Sequence, residues 1–249
     1  MAEIVWQTTV SGVHYAVHRH DNAYQLFTNG IQHSEFHPER WVTSSVWDLL
    51  WLPGLFMAPH QCRRVLVLGL GGGSILGPIK HLLHAADITA VELDPQHIHV
   101  ARHVFKLDSD EVTMIEADAQ QWLADYRGAP FDLIIDDLFI TGPDDVSRAV
   151  VADQNWMSLL TKHTSEQGVL VMNFADDIEY WQSDASEDHW RAHFPSRFRL
   201  GCDDCYNAVI AYSRLQVRSV MLQRKIKDIA PLRQAVADKT LQFTVRQLD

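Results

Sequence analysis

From residue 63 onward, short apolar runs alternate with helix-forming stretches, and this pattern constrains the possible fold most strongly. The runs predict strands at Arg64–Leu68, Ile88–Val91, Val112–Ile115, Leu133–Ile135 and Val169–Asn173. Strands that alternate with helices at this spacing indicate βαβ units and a parallel sheet covered on both faces. We therefore predict an α/β fold with a doubly wound, mostly parallel, Rossmann-like sheet.

The segments between these strands have helical apolar spacing or helix-capping residues. Asp94-Pro95, for example, provides an N-cap followed by a first-turn proline. The predicted helices are Ile75–His84, Asp94–Phe105, Gln120–Tyr126 and Val146–His163. Arg197–Leu200 and Ala208–Tyr212 are predicted to form a final antiparallel pair.

The first 35 residues favour antiparallel β-structure. Tyr24–Thr28 and Ile31–Ser34 flank Asn29-Gly30, a dipeptide that accepts positive φ at both turn positions. Val13–Arg19 is the expected partner strand, and Trp41–Leu52 has helical spacing. The resulting division is a small N-terminal β-hairpin region with a connecting helix over residues 1–60, a Rossmann-like domain over 61–213, and a C-terminal extension over 214–249.

Composition disfavours several functional classes. The net charge is −11, and no basic stripe offsets it, so we expect no nucleic-acid partner. No apolar run is long enough to cross a bilayer, and no signal peptide is visible. Three cysteines argue against a disulfide framework, Cys202 and Cys205 being interpreted as loop residues, and a cytoplasmic location follows. We predict no metal site, because His99 and His103 share a helix face without a third ligand.

The first predicted strand leads into a glycine-rich turn, Gly69-Leu70-Gly71-Gly72-Gly73. Glycines allow a ligand to approach the backbone closely, and the N–H groups at the start of the following helix point towards it. Glu92 ends the second strand, where a carboxylate can accept both ribose hydroxyls of a nucleoside. The loop and Glu92 together predict a nucleoside site at the carboxyl ends of the strands.

The spacing of the loop distinguishes between two nucleotide classes. A dinucleotide fingerprint requires glycine or alanine at position 74, where this chain has Ser74. Asp118-Ala119 follows the third strand, and a carboxylate there can accept a hydrogen bond from an adenine amino group. The same Asp118 is also a suitable N-cap. We therefore favour S-adenosylmethionine, or its decarboxylated form, over a nicotinamide dinucleotide.

Carboxylates follow the fourth and fifth predicted strands. Asp136 and Asp137 end one, and Asp176 and Asp177 follow the other. Like charges raise one another's pKa, so such a cluster favours a cation or a shared proton. Asp137 is our candidate catalytic base, and the other three are candidate substrate contacts. The alternative is that they are solvated loop acids.

These residues resemble the spermidine synthase family, whose members have a methyltransferase fold behind a small N-terminal β domain. The resemblance rests on Asn29-Gly30-Ile31-Gln32, Val91-Glu92-Leu93-Asp94, Asp118-Ala119 and Asp137, which falls on the family's catalytic aspartate. It implies a small-molecule acceptor and a homodimer. The residues implied to bind the nucleoside are Gln32, Gly69, Gly71, Gly72, Gly73, Glu92, Asp118 and Ala119.

Three positions depart from the family's amine site. Gly72 replaces an aspartate that contacts the aminopropyl amine, Ile140 replaces a second aspartate, and Thr43-Ser44-Ser45 replaces a Tyr-His/Gln-Glu motif. Because Gly72 removes a carboxylate, we expect space for the carboxylate of ordinary S-adenosylmethionine. We therefore predict a methyltransferase acting on a small, cationic acceptor. The alternatives are an aminopropyltransferase with an altered amine site and a non-catalytic nucleoside-binding subunit.

Overall fold

A computed structural model describes residues 2–107, 109–141, 146–203 and 205–248. An eight-stranded sheet carries the main core, and a four-stranded antiparallel sheet precedes it along the chain. The mixed α/β architecture with a separate N-terminal sheet agrees with the predicted fold class.

The N-terminal sheet is a meander whose strands pair in chain order. Its strands are β1 (Glu3–Val10), β2 (Val13–His20), β3 (Ala23–Thr28) and β4 (Ile31–Phe36). Asn29 and Gly30 connect β3 to β4 with φ values of 48° and 82°. Positive φ at both positions is the geometry that an Asn-Gly hairpin turn requires, so the predicted hairpin is confirmed.

The connecting helix begins later than its apolar spacing predicts. α1 covers Val46–Trp51, and a 3₁₀ turn continues it over Leu52–Phe56. The carboxylate of Asp48 accepts backbone N–H bonds from Thr43 at 2.9 Å and Ser44 at 2.8 Å, which holds the preceding residues in a capping loop. Burial raises the pKa of Asp48 to about 6, although the hydrogen bonds from Thr43 and Ser44 oppose this shift.

Ten further strands follow within the described ranges. They are β5 (Arg64–Leu68), β6 (Asp87–Glu92), β7 (Val112–Glu116), β8 (Phe131–Asp136), β9 (Phe139–Thr141), β10 (Val146–Arg148), β11 (Thr164–Phe174), β12 (Ser196–Gly201), β13 (Ala208–Ser213) and β14 (Thr244–Leu248).

The order of the main sheet is β14-β12-β13-β11-β8-β5-β6-β7. The pairs from β7 to β11 are parallel, whereas β13, β12 and β14 add antiparallel strands at one side. The predicted pair of strands at the end of the domain, β12 and β13, is confirmed. β14 brings the last residues of the chain onto this sheet, and the division at residues 60 and 213 stays a prediction.

The helices between the parallel strands are α2 (Leu76–Leu82), α3 (Pro95–His99), α4 (Ala119–Asp125) and α5 (Gln154–His163). The helices after β11 are α6 (Asp177–Gln182), α7 (Ser219–Asp228) and α8 (Ala230–Ala237). The helix predicted over residues 146–163 is wrong in its first part, because β10 pairs there with β9. Asp153 starts α5 instead, and its carboxylate accepts the backbone N–H of Trp156 at 2.8 Å. None of the helices in the described ranges has the length and apolarity needed to cross a bilayer.

Adjacent residues of β8 enter core layers on opposite faces of the sheet. Leu133 and Ile135 pack in one layer, and Ile134 packs in the other. Asp136 is fully buried and faces the second layer, where Trp156 donates its indole N–H to Asp136 at 2.8 Å. The same alternation directs the next residue, Asp137, away from that layer.

The loop between β12 and β13 differs from its sequence interpretation. A disulfide joins Cys202 to Cys205, whereas the cysteine count favoured loop residues without a disulfide framework. Cys62 has a free thiol that is buried, and burial raises its pKa to about 12.

Candidate functional site

A cavity of about 940 Å³ lies at the carboxyl ends of the parallel strands. The order of the sheet brings the ends of β8, β5, β6 and β7 side by side, so residues far apart in the chain meet there. The predicted site residues that line this cavity are Gln32, Gly69, Gly71, Glu92, Asp118, Ala119 and Asp137. Strand β4 and its neighbours in the N-terminal sheet complete the opposite wall.

Close packing explains two of the loop glycines. Gly69 and Gly71 have φ values of +84° and +52°. A Cβ added at Gly69 would lie 2.8 Å from the carbonyl carbon of Asp137, and one at Gly71 would lie 2.7 Å from the backbone oxygen of His33. Because both obstacles are backbone atoms, side chains at these positions would displace the strand ends that form the cavity.

Gly72 and Gly73 do not line the cavity. A Cβ on Gly72 would collide with the Ser34 hydroxyl and lie 2.7 Å from the Phe105 ring. The expectation that the missing side chain at Gly72 frees space for a ligand carboxylate is therefore wrong, because that position faces β4. A Cβ on Gly73 would approach Leu107 at 2.8 Å.

Glu92 connects the glycine loop to the start of α3. Its Oε2 accepts the backbone N–H groups of Leu70 and Gly71, each at 2.9 Å, and its Oε1 accepts that of Asp94 at 2.9 Å. Burial raises the pKa of Glu92, but His97 and the backbone amides outweigh burial and hold the pKa below its usual value. The carboxylate is thus ionised and oriented at the cavity wall, where it can accept hydroxyl donors.

Polar side chains from the N-terminal sheet and from the start of α3 surround Glu92, and the sequence interpretation missed them. The Nε2 of His97 lies 2.9 Å from the Thr28 hydroxyl, and its Nδ1 lies 3.9 Å from Glu92 Oε2. The Tyr15 hydroxyl donates to Asp94 at 2.7 Å. These contacts attach β2 and β3 to the nucleoside side of the cavity. No local sequence signal identifies them, because Thr28 and His97 are 69 residues apart.

His33 also lines this side of the cavity, and its ring centroid lies 5.0 Å from that of His97. Burial lowers the pKa of His33 to about 4, and the neighbouring His97 adds to this effect. The His33 ring is therefore uncharged at neutral pH and contributes polarity without positive charge.

Asp118 combines the two roles that its position allows. It caps α4, because its Oδ1 accepts the backbone N–H of Gln121 at 2.9 Å, and it lines the cavity. Ala119 is buried directly beside it. The cap fixes the carboxylate at the end of β7, where it can also accept an adenine amino group.

Asp137 lies at the other end of the cavity and is half-buried. Asn173 donates its side-chain N–H to Asp137 Oδ1 at 2.7 Å, and Asn207 donates to Asn173 Oδ1 at 3.1 Å. Burial raises the pKa of Asp137 to about 6, the negative charge of Asp136 adds to the shift, and the Asn173 bond opposes it. Asn173 and Asn207 were not predicted as site residues, although Asn173 is recognisable as a polar residue at the end of the fifth parallel strand.

The other three candidate substrate carboxylates do not line the cavity. Asp136 is buried and pairs with Arg148 at 2.7 Å. Asp176 caps α6 by accepting the Glu179 N–H at 2.7 Å, and Asp177 forms an ion pair with Arg199 at 2.8 Å. Each carboxylate already has a structural partner, so the clustering expected from strand ends brings only Asp137 into the cavity.

The parallel sheet, the glycine loop and the carboxylates after β6 and β7 are arranged as in a Rossmann-like methyltransferase fold. Residues 65–161 match the family model described as a methyltransferase domain. The structure of human methyltransferase-like protein 13 in complex with S-adenosylhomocysteine is similar, with a TM-score of 0.59 and 20% identity. The match covers 76% of this chain and 92% of that one.

The chain is also similar in sequence to polyamine aminopropyltransferases. Polyamine aminopropyltransferase 2 of Ralstonia nicotianae is 30% identical over 151 residues, which are 56% of this chain and 29% of that protein. The Chromobacterium violaceum polyamine aminopropyltransferase is 29% identical over 133 residues, 52% of this chain and 49% of its own length. The chain thus spans less than half of these relatives.

Solved structures support the same placement of the fold. A probable spermidine synthase from Corynebacterium glutamicum matches with a TM-score of 0.72 and 15% identity, covering 90% of this chain and 88% of that one. Spermidine synthase from Thermotoga maritima matches with a TM-score of 0.65 and 18% identity, covering 88% and 75%. Together these matches support the methyltransferase fold of the chain.

Proposed function

We propose that the protein is an S-adenosylmethionine-dependent methyltransferase that acts on a small acceptor, with Asp137 as the catalytic base. The observation that carries the proposal is the position of Asp137, a half-buried carboxylate at the end of β8 with its pKa raised to about 6. A sulfonium donor supplies an activated methyl group, so the protein must mainly position the acceptor and remove one proton.

The nucleoside end of the cavity supports donor binding. Glu92 can accept the ribose hydroxyls, and Asp118 with Ala119 can hold the adenine. The tight turn at Gly69 and Gly71 brings the backbone to the cavity wall without side chains in between. These roles are proposals that rest on the lining residues and on the resemblance described above. Gln32 is proposed to close the same end from β4.

Methyl transfer is favoured over aminopropyl transfer by the positions where an amine would require a carboxylate. Gly72 faces Ser34 and not the cavity, and Ile140 offers an apolar side chain. Thr43 is buried and bound to Asp48, so it is not available to a ligand. None of these three positions supplies a carboxylate that could pair with the positively charged nitrogen of an aminopropyl group.

Aminopropyl transfer is the second candidate, and a different observation favours it. Among the described residues that line the cavity, four are carboxylates and none is lysine or arginine. Decarboxylated S-adenosylmethionine has no carboxylate and therefore suits an acidic cavity better on charge alone. The two relatives compared above are also named as polyamine aminopropyltransferases.

The experiment combines binding with product identification. The purified chain is titrated calorimetrically with S-adenosylmethionine and with its decarboxylated form, and the nucleoside product is then identified with a panel of small amines. Methyl transfer yields S-adenosylhomocysteine, whereas aminopropyl transfer yields methylthioadenosine. Binding without consumption of either donor would instead support a non-catalytic subunit.

Asp137→Asn tests the base, with Asp153→Asn as the matched control because Asp153 caps α5 away from the cavity. We expect turnover to fall by about 10²-fold or more in Asp137→Asn and to remain unchanged in the control. Full activity of Asp137→Asn would refute the assignment. The predicted homodimer, the cytoplasmic location and the absence of a nucleic-acid partner stay predictions.

A further inference from the structure

The acceptor end of the cavity differs in character from its nucleoside end. We define the acceptor end as the lining beyond β8 and β11, before β13 and at the start of α1. It consists of Val46, Trp47, Asp137, Leu138, Phe139, Ile140, Ala149, Val150, Asn173, Ala175 and Asn207. Among these described residues, Asp137 is the one ionisable group.

The two amides at this end form a hydrogen-bonded chain that ends at Asp137. Asn207 donates to Asn173, and Asn173 donates to Asp137 Oδ1. Neither amide carries a charge that could pair with an ammonium group. The second carboxylate oxygen of Asp137, Oδ2, is the charged atom that remains for an acceptor.

The charged residues next to the acceptor end are used elsewhere. Arg148 extends from β10 to Asp136 at 2.7 Å and also donates to the Asn173 backbone oxygen, so its guanidinium is withdrawn into the core. Asp177 pairs with Arg199. Neither Arg148 nor Asp177 lines the cavity, so among the described lining residues of this end the charge is that of Asp137.

The remaining walls are apolar. The segment that follows Asp137 contributes Leu138, Phe139 and Ile140. Antiparallel pairing with β10 holds β9 in place. The side chain of Ile140 is 50% exposed, although it is a large apolar group. Trp47 enters from α1, which packs against β11, β12 and β13. An exposed apolar wall beside one carboxylate suits a ligand with one charged nitrogen and an apolar body.

We propose, on the basis of the proposed function, that the acceptor is a small monoamine with an apolar or aromatic body, and not a diamine. Its nitrogen faces Asp137 Oδ2, and its body lies against Ile140 and Phe139. A diamine would place its second ammonium group against this apolar wall without a partner, which is unfavourable.

The chemical step is balanced within the cavity. The lone pair of the acceptor nitrogen forms a bond to the methyl carbon of the donor. The carbon–sulfur bond breaks, and its electron pair returns to sulfur, which becomes a neutral thioether. The lone pair is available because the bound ammonium group first gives one proton to the Asp137 carboxylate, which is ionised above a pH of about 6. The product leaves as the methylated ammonium cation.

The test measures acceptor binding directly, so it does not depend on turnover. The purified full chain, saturated with S-adenosylhomocysteine, is titrated calorimetrically with phenethylamine, hexylamine and 1,4-diaminobutane. We expect both monoamines to bind at least about tenfold more tightly than the diamine. Equal or tighter binding of the diamine, or failure of both monoamines to bind, would overturn the inference. Failure of the nucleoside itself to bind would instead refute the proposed function.

A charge variant tests the wall. Ile140→Asp adds a carboxylate beside Asp137 and should reduce the preference for monoamines by about tenfold. Ile178→Asp makes the same change at an exposed position of α6 that does not line the cavity, and it should leave the preference unchanged. Equal preferences in wild type, Ile140→Asp and Ile178→Asp would contradict the placement of the acceptor body.

Discussion

Replacement of Gly69 by alanine should be far more damaging than replacement of a glycine with the same backbone conformation elsewhere. Gly69 and Gly12 both have a φ of +84°. A Cβ at Gly12 meets nothing within 4 Å, whereas a Cβ at Gly69 would collide with the Asp137 peptide, 2.8 Å from its carbonyl carbon. The pair therefore separates the conformational cost of alanine from the cost of the collision.

The magnitudes follow from these two costs. A left-handed conformation costs a non-glycine residue about 1–2 kcal/mol, which is the whole penalty expected for Gly12→Ala. Overpacking against atoms that cannot rotate away adds about 1–3 kcal/mol for Gly69→Ala. The Asp137 peptide resists displacement, because its N–H donates to the Leu68 oxygen at 2.8 Å. We therefore expect a total loss of about 2–5 kcal/mol for Gly69→Ala.

Urea unfolding of wild type and both variants measures the free energies of unfolding, and calorimetry measures nucleoside affinity. Gly69→Ala should also weaken nucleoside binding, because displacement of the Asp137 peptide changes the cavity wall, while Gly12→Ala should bind normally. If the two variants lose equal stability, the close approach of Gly69 to Asp137 is not a real constraint, and the packing argument fails.

Four further outcomes are expected. Since the pKa of Asp137 is raised to about 6, turnover should decline as pH falls through about 6, and a pH–rate profile that stays level down to pH 4 would contradict its role as a base. The folded-state pKa of Asp137 lies above the ordinary value of 3.8, so its contribution to the free energy of unfolding should decrease as pH rises from about 4 to about 6. Urea unfolding of wild type and of Asp137→Asn across this pH range checks the direction of the change. Thr28→Val, which removes the partner of His97, should weaken nucleoside affinity by about tenfold, and an unchanged dissociation constant would show that the contact does not position Glu92. Asp118→Ala and Asp153→Ala should each cost about 1 kcal/mol as lost N-caps, but only Asp118→Ala should weaken nucleoside binding; equal binding by both variants would limit Asp118 to capping.

The elements that depend on local pattern could be predicted from the sequence. The hairpin at Asn29-Gly30 and the five parallel strands are encoded by turn chemistry and apolar runs, which act over a few residues. The helix expected from residue 146 could not be judged locally, because pairing between β9 and β10 decides that segment. Asp153, a helix N-cap within the predicted helix, was the available signal for the correct start.

The candidate site was predictable where it follows strand ends and unpredictable where it depends on contacts between sheets. Asp136 and Asp137 were adjacent candidates, and the alternation of side chains along β8 could have separated the buried residue from the one in the cavity. His97 offered no such signal, because an isolated histidine on a helix indicates nothing until Thr28 lies beside it. Position 72 likewise gave no local signal, because a side chain there would point towards β4, which belongs to the other sheet.

The contact between the glycine loop and β4 has a consequence for engineering this scaffold. The loop is bounded by His33 and Ser34, and the Ser74 hydroxyl accepts the backbone N–H of Glu35 at 2.9 Å. The N-terminal sheet is therefore not an interchangeable module that could be exchanged freely with that of a relative. A chimera would have to transplant the β4 sequence and the loop together. The small side chain of Ser34 packs directly against Gly72, which leaves no room for a Cβ at position 72.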